Sequence, residues 1–405
     1  MCIRDSQQTS DGGYIVAGYS YSSGMAGLLQ NNHGINDYYI VKFTQDGSVA
    51  WHTMLGGSEE DEGHSIQQTS DSGYIVVGYS RSDMAGLLQS RHEGYDYYVV
   101  KLNSDGSVAW HTMLGGINDD YGYSIQQTSD GGYIVAGYSY STDITGLLQD
   151  NHGGTDYYVV KLSSDGSIDW HTMLGGNSGD CGYSIQQTSD GGYIVAGYSY
   201  STDITGLLQD NHGGTDYYVV KLNSDGSISW QTMLGGSGED SGYSIQQTYD
   251  GGYIVAGYSY STDITGLLQN NNGNGGYYIV KLNSDGSISW QTMLGGNGCD
   301  SDYGNSIKQT SDGGYIITGS SYSTDIAELF QNNQGNDDYY VVKLSSDGSI
   351  AWQTMLGGSN LDCGNSIQQT FDGEYIVVGA SESTDIKGLL EDPHGAFDIY
   401  VAKLW

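Results

Sequence analysis

Short apolar runs alternate with clusters of Gly, Asp, Asn and Ser along the whole of this chain. Residues 184–236 show the pattern once: SIQQTSDGGYIVAGYSYSTDITGLLQDNHGGTDYYVVKLNSDGSISWQTMLGG. Runs rich in Val, Ile, Tyr and Trp between Asp-Gly turns read as β-strands. Four are predicted here, over 184–188, 192–199, 216–222 and 227–234. SDGG joins the first strand to the second and NSDGS the third to the fourth, because Asp-Gly supplies the positive φ of a tight hairpin. YIVAG and YYVVK are continuous apolar runs rather than alternations, so these sheets are expected to be covered on both faces.

The same line recurs at Thr9, Thr69, Thr128, Thr188, Thr248, Thr310 and Thr370, at intervals of 59 to 62 residues. Repeats of this length, made of short strands and tight turns, predict an all-β fold, a β-propeller of about seven four-stranded blades. The last blade is expected to be incomplete, because no strand with the Trp motif follows Leu404. Six copies keep a Trp four residues after the turn Gly: Trp51, Trp110, Trp170, Trp230, Trp290 and Trp352. A Trp repeated this way is expected to pack between outer strands. One repeat domain over 7–405 accounts for the chain, while residues 1–6, MCIRDS, break the pattern and resemble the spurious start of a fragmentary gene model.

Composition narrows the partners. The 48 acidic and 12 basic residues give a formal charge of −36, which repels nucleic acid and anionic lipid surfaces. Seven of the cations are one repeat position, Lys42, Lys101, Lys161, Lys221, Lys281, Lys343 and Lys403, each expected to end a buried strand and pair with an Asp or a carbonyl. With a single Pro, Pro393, and 64 Gly, the turns fall to Gly, Asp and Asn. Cys2, Cys181, Cys299 and Cys363 have no CxxC spacing, and no apolar run reaches the length of a membrane span. No membrane insertion is expected, and the chain is expected to be a monomer.

The set DGGYIVAGYS, NHGGTDYYVVKL, SDGSISW and LGG, in that order over residues 7–404, resembles the sixty-residue propeller repeats of large secreted or surface proteins of bacteria. Bacteroidetes-like groups that export cargo with a C-terminal sorting domain are the nearest likeness. The resemblance implies an extracellular or cell-surface setting. SDGSISW is also similar to the Asp-box of sialidase-type propellers and to the tryptophan motif of quinoprotein propellers. Its spacing is compressed against SxDxGxTW, so neither family's catalytic residues carry over.

In a meander the tight turns share one side of a blade, and the long loop STDITGLLQDNHGGTD with the linker GGSGEDSG shares the other. Loops that carry polar length are where propellers bind, so Asp143, Asn151, His152, Asp156, Asp203, Asn211, His212 and Asp216 are the candidate ligand-binding residues. Oxygen ligands on such a loop suit Ca²⁺, which makes Asp143, Asp156, Asp203 and Asp216 the calcium candidates, although no copy has the DxDxDG spacing of a known calcium loop. No other cofactor is called for. At the NHG position His33, His92, His152, His212 and His394 give way to Asn272 and Gln334, and after the Trp His52, His111 and His171 give way to Gln231, Gln291 and Gln353. Exchange with amides points to hydrogen bonding rather than catalysis.

No SxxK, GxSxG, HExxH or phosphate loop occurs, and residues 123–162 repeat identically as 183–222, the reverse of the asymmetry a catalytic site needs. The reading is a non-catalytic extracellular binding or adhesion propeller that recognises glycan or protein through its long-loop face. The alternatives are a carbohydrate-active enzyme, with linker carboxylates such as Asp119 and Asp120 or Glu239 and Asp240 at the channel mouth, and a structural spacer array.

Overall fold

The computed structural model describes residues 2–22, 27–269, 275–296, 302–386 and 398–404, and among them there is no helix. Pro393, Cys299, Asn272 and His394 lie outside the described residues. Seven antiparallel sheets follow one another along the chain, each a meander in chain order, six with four strands and the last with three. This is a seven-bladed β-propeller.

The third blade shows the plan: Asp120–Gln127, Tyr133–Ser139, Asp156–Leu162 and Ile168–Leu174. In the fourth blade the first strand runs over Asp180–Gln187, earlier than the predicted 184–188. The linker residues before SIQQ are therefore strand. In the third blade Asp120, Tyr121 and Gly122 pair with Ser139, Tyr138 and Gly137, and a bulge at Tyr123 separates them from the SIQQ register. A Cβ on Gly137 would lie 1.9 Å from the Tyr121 carbonyl oxygen, so the Gly permits the close approach.

Residues 2–6 run within the first strand of the first blade, Cys2–Gln8, which pairs with Tyr14–Ser20. Asp5 does there what Ser does in later copies. Its Oδ2 accepts the Ile66 N–H at 3.0 Å, as Ser124 Oγ accepts the Ile185 N–H at 3.1 Å.

The chain divides into two compact units. One, Met1–Val195 with Ser201–Ile204 and Lys221–Ser229, holds the first three blades. Neighbouring blades there pack face to face, with Ile15, Ala17, Tyr38 and Ile40 of the first blade against Ile66, Tyr74, Val76 and Tyr98 of the second. Trp51 meets Tyr74 edge-on at 5.6 Å and Trp110 meets Tyr133 at 5.7 Å, so each Trp packs on the second strand of the following blade. Tyr38 and Tyr97 donate to the Tyr98 and Tyr158 carbonyls one blade on, both at 2.8 Å. The paired Gln of SIQQ join first strands: the Gln127 N–H donates to Gln67 Oε1 at 2.6 Å, and the Ser70 N–H to Gln127 Oε1 at 2.8 Å.

The other unit, Ala196–Tyr200 with Thr205–Val220 and Trp230–Trp405, holds the last three blades. It repeats the design, with Ile254, Ala256, Tyr277 and Ile279 against Ile307, Tyr315, Ile317 and Tyr340, and Trp290 on Tyr315 at 5.8 Å.

The repeated Lys are structural. Lys42, Lys101, Lys161, Lys221, Lys281 and Lys343 are buried, and each pairs with the Asp of the SDGG-type turn in its own blade. Lys221 Nζ lies 3.0 Å from Asp190 Oδ2 and donates to the Leu222 carbonyl at 2.9 Å. Burial pushes the Asp190 carboxyl up, but the Thr188 hydroxyl, Lys221 and the Gly192 N–H outweigh it and hold the group at about 2. Lys403, in the last blade, is half-exposed and pairs with Asp372 and Glu374.

Candidate functional site

The long loop does not project freely from the blade. In the third blade Leu148 N–H donates to the His171 carbonyl at 2.9 Å and Met173 N–H to the Gln149 carbonyl at 3.0 Å. The GLLQ segment thus lies along the outer edge of the fourth strand and satisfies backbone groups that a sheet edge leaves open. The fifth blade does the same through Leu268 with Gln291, and Met293 with Gln269. Only the two ends of the loop stand on the linker side.

This splits the predicted residues. Asp143 reaches back to the preceding linker, where its Oδ1 accepts the Ile117 N–H at 3.0 Å, and Asp203 takes the Asn177 N–H in the same way. Asn151, His152 and Asp156 stay together. Asn151 Oδ1 accepts the Gly153 N–H, and Asp156 Oδ2 accepts the His152 N–H at 2.7 Å and faces its Nδ1 at 3.0 Å. Asn211, His212 and Asp216 repeat this, with 2.7 Å and 3.1 Å to Asp216 Oδ2. Burial pushes the Asp156 and Asp216 carboxyls up, and the His contacts offset part of it. Among the described residues no three His, Cys, Asp or Glu side chains converge closely enough to hold a metal ion.

The His of NHG acts mainly through its backbone. Gln334 N–H makes the same bond to Asp338 Oδ2, which is why an amide can stand there. The residue after the Trp is a relay. Gln231 Oε1 accepts from the Tyr218 hydroxyl and its Nε2 donates to the Thr205 carbonyl, at 2.6 and 2.7 Å. His171 does both through its ring, with Nδ1 2.9 Å from the Tyr158 hydroxyl and a backbone hydrogen bond to Thr145. Burial lowers the His171 pKa, so the ring stays neutral and keeps one donor and one acceptor.

Asp120 and Asp240 open buried first strands and are fully enclosed. Asp119 and Glu239, one residue earlier, accept the Tyr140 and Tyr260 N–H groups through their carbonyls.

The repeat pattern alone does not mark the exposed tyrosines. The second Tyr of GYSYS, at Tyr21, Tyr140 and Tyr200, is about half exposed on the linker side, at 57%, 49% and 48%. In the first unit Tyr140 touches Tyr138, Tyr138 touches Tyr121, and Tyr121 touches both Tyr79 and Tyr95, with ring centroids 4.8 to 6.2 Å apart. The Tyr95 hydroxyl donates to Glu60 Oε2, and Arg81 lies over the Tyr95 ring at 5.7 Å. The repeated GYSYS was the available signal, but a Tyr beside YIVAG reads as more strand interior. In the second unit a shallow cavity of about 220 Å³ opens beside the loop, lined by Gln209, His212, Asp263, Ile264, Thr265 and Gln291.

No family model matches the chain. Over 82% of its length it is 20% identical to an uncharacterized WD repeat-containing protein of Acanthamoeba polyphaga mimivirus, and over 33% it is 24% identical to the regulatory protein FlaEY of Caulobacter vibrioides. These matches take in 31% and 15% of the two proteins, so the chain spans less than a third of the length of the curated relatives it matches. Among solved structures, the WD40 domain of Pan2 from Neurospora crassa is similar with a TM-score of 0.50 and 10% identity, over 93% of this chain and 84% of that one. The likeness is one of fold, a β-propeller.

Proposed function

We propose that this chain is a non-catalytic binding propeller of a secreted or surface protein of bacteria, and that it recognises glycan through its long-loop and linker side. The observation that carries the reading is the exposed Tyr at one repeat position, Tyr21, Tyr140 and Tyr200, and at Tyr140 the Asn118 amide of the linker donates to its carbonyl. A flat ring with polar groups at its rim offers a sugar one apolar face and several hydrogen bonds. Repetition of such weak sites favours multivalent contact over one deep pocket.

Enclosure of Asp120 and Asp240 speaks against the enzyme alternative, because a general acid must reach the bond it protonates. The test is a glycan array with the full chain and a Tyr140→Ala, Tyr200→Ala double variant, beside a polysaccharide hydrolysis assay. Binding is expected in the wild type, with loss of about tenfold or more in the variant as two stacking rings go. No glycan binding by the wild type, or undiminished binding by a folded variant, overturns the reading, and turnover in the hydrolysis assay puts the enzyme in its place.

A further inference from the structure

Between neighbouring blades two buried carboxyls converge on one Gly. At the junction of the second and third blades these are Asp96, which opens a third strand, and Asp120, which opens the next first strand, both fully enclosed. A Cβ on Gly115 would lie 2.6 Å from Asp96 Oδ1 and 2.2 Å from Asp120 Oδ2, so the two oxygens converge on one point and the Gly leaves them room. Asp96 Oδ2 takes the His92 N–H at 2.7 Å, and Asp120 Oδ2 takes the Gly116 N–H at 2.8 Å and the Ser141 hydroxyl at 3.1 Å. Asp96 Oδ1 has no hydrogen-bond partner.

The arrangement recurs. Asp37 Oδ1 and Asp61 Oδ2 converge at Gly56, and Asp338 Oδ1 and Asp362 Oδ2 at Gly357, with Asp37 Oδ1 and Asp338 Oδ1 again partnerless. Two enclosed anions this close cannot both stay charged without compensation. Two carboxyl oxygens also fall short of the six to eight oxygens that Ca²⁺ takes.

We propose that each of these junctions binds one proton, shared as a hydrogen bond from Oδ1 of the third-strand Asp to Oδ2 of the first-strand Asp. The proton comes from solvent, and one carboxylate becomes a carboxylic acid with no other bond changed. The titratable groups that face the pair at Asp96 are Arg91 and His92 from the loop before it, Asp143 from the following blade, and the Tyr97 and Tyr158 hydroxyls. Burial is the main cause that pushes both Asp96 and Asp120 up to about 7, and Asp338 likewise. A group whose pKa is raised on folding stabilises most below its unfolded pKa, and that contribution is lost as pH rises through the folded value. Stability from these junctions therefore falls between pH of about 4 and about 7.

The experiment compares melting temperatures of the full chain from pH 5 to 8 for the wild type, Asp96→Asn with Asp338→Asn, and a charge control, Asp150→Asn with Asp210→Asn, whose carboxyls are exposed. The Asn amide supplies the missing donor at any pH. The junction variant is expected to show a clearly shallower fall in melting temperature and to exceed the wild type at pH 8, while the control keeps the wild-type slope. Infrared spectra of the wild type at pH 6 should also show a protonated-carboxyl band. Equal slopes in all three proteins overturn the proposal, as does the absence of that band should the junction variant fail to fold. A rise in wild-type melting temperature with millimolar Ca²⁺, reversed by a chelator and absent in the junction variant, replaces the proton with a metal ion.

Discussion

At the scale of single residues, the repeat works through side chains that hold the backbone of a neighbouring segment. Lys221 joins the end of its strand to the SDGG turn, and Leu222 loses a donor if the ammonium goes. Lys221→Met is expected to cost about 1–3 kcal/mol, the penalty of an unmet buried polar group, as read from urea unfolding. An unchanged midpoint would show the carbonyl satisfied without it. Ser72 stands where other copies have the first Gly of SDGG and holds φ at 65°. Left-handed backbone costs a side chain about 1–2 kcal/mol, so Ser72→Gly should raise stability by about 1 kcal/mol, and a loss would mean that the Ser side chain is needed. The Lys position was legible in the sequence because a buried cation must find a partner close by. The His and Gln exchange was legible only as a hydrogen-bonding role. That Tyr158 and Thr145 are its two partners depends on strands and loops brought together by folding.

At the scale of elements, strand existence followed from apolar runs between Asp-Gly turns, and in the fourth blade the second to fourth strands lie within a residue of their predicted bounds. The first strand is longer than the pattern predicts, because DCGY has no β pattern of its own; in the third blade the equivalent segment is held by the pairing of Gly122 with Gly137. The long loop was legible as polar length but not as an edge strip. GLLQ is too short to show a period, and its partner, the fourth strand, lies beyond an entire third strand. That strip carries a testable consequence. Leu208 N–H donates to the Gln231 carbonyl at 2.9 Å, and Pro there removes the donor and lifts the segment from the edge. Leu208→Pro should lower the melting temperature and, by baring a flat strand edge, promote aggregation on heating. A variant that melts like the wild type and aggregates no more on heating would show that the strip adds nothing to the sheet.

At the scale of the whole molecule, a formal charge of −36 sets two kinds of carboxyl against each other. The turn Asp residues, Asp11, Asp71, Asp130, Asp190, Asp250 and Asp312, are held at about 2 by their Thr, Lys and backbone donors against the upward push of burial. Their pKa is depressed on folding, so their contribution is present above the unfolded value near 4 and is lost as pH falls toward 2. The enclosed carboxyls of the blade junctions act in the opposite sense. Asp61 and Asp240 are raised to about 6 and Asp96, Asp120 and Asp338 to about 7, chiefly by burial, so their contribution fades as pH rises past those values. The two trends leave a stability maximum at pH of about 4–5, below the usual range of about 5–8. Repulsion among surface carboxylates would also favour mild acid, and salt separates the causes. At about 1 M NaCl the screening length drops to about 3 Å, which quenches exposed charges and leaves enclosed pairs nearly untouched. The fall in melting temperature from pH 5 to 8 should therefore persist in high salt. A profile that becomes flat there would assign the whole effect to surface repulsion and leave the enclosed carboxyls without a part in it.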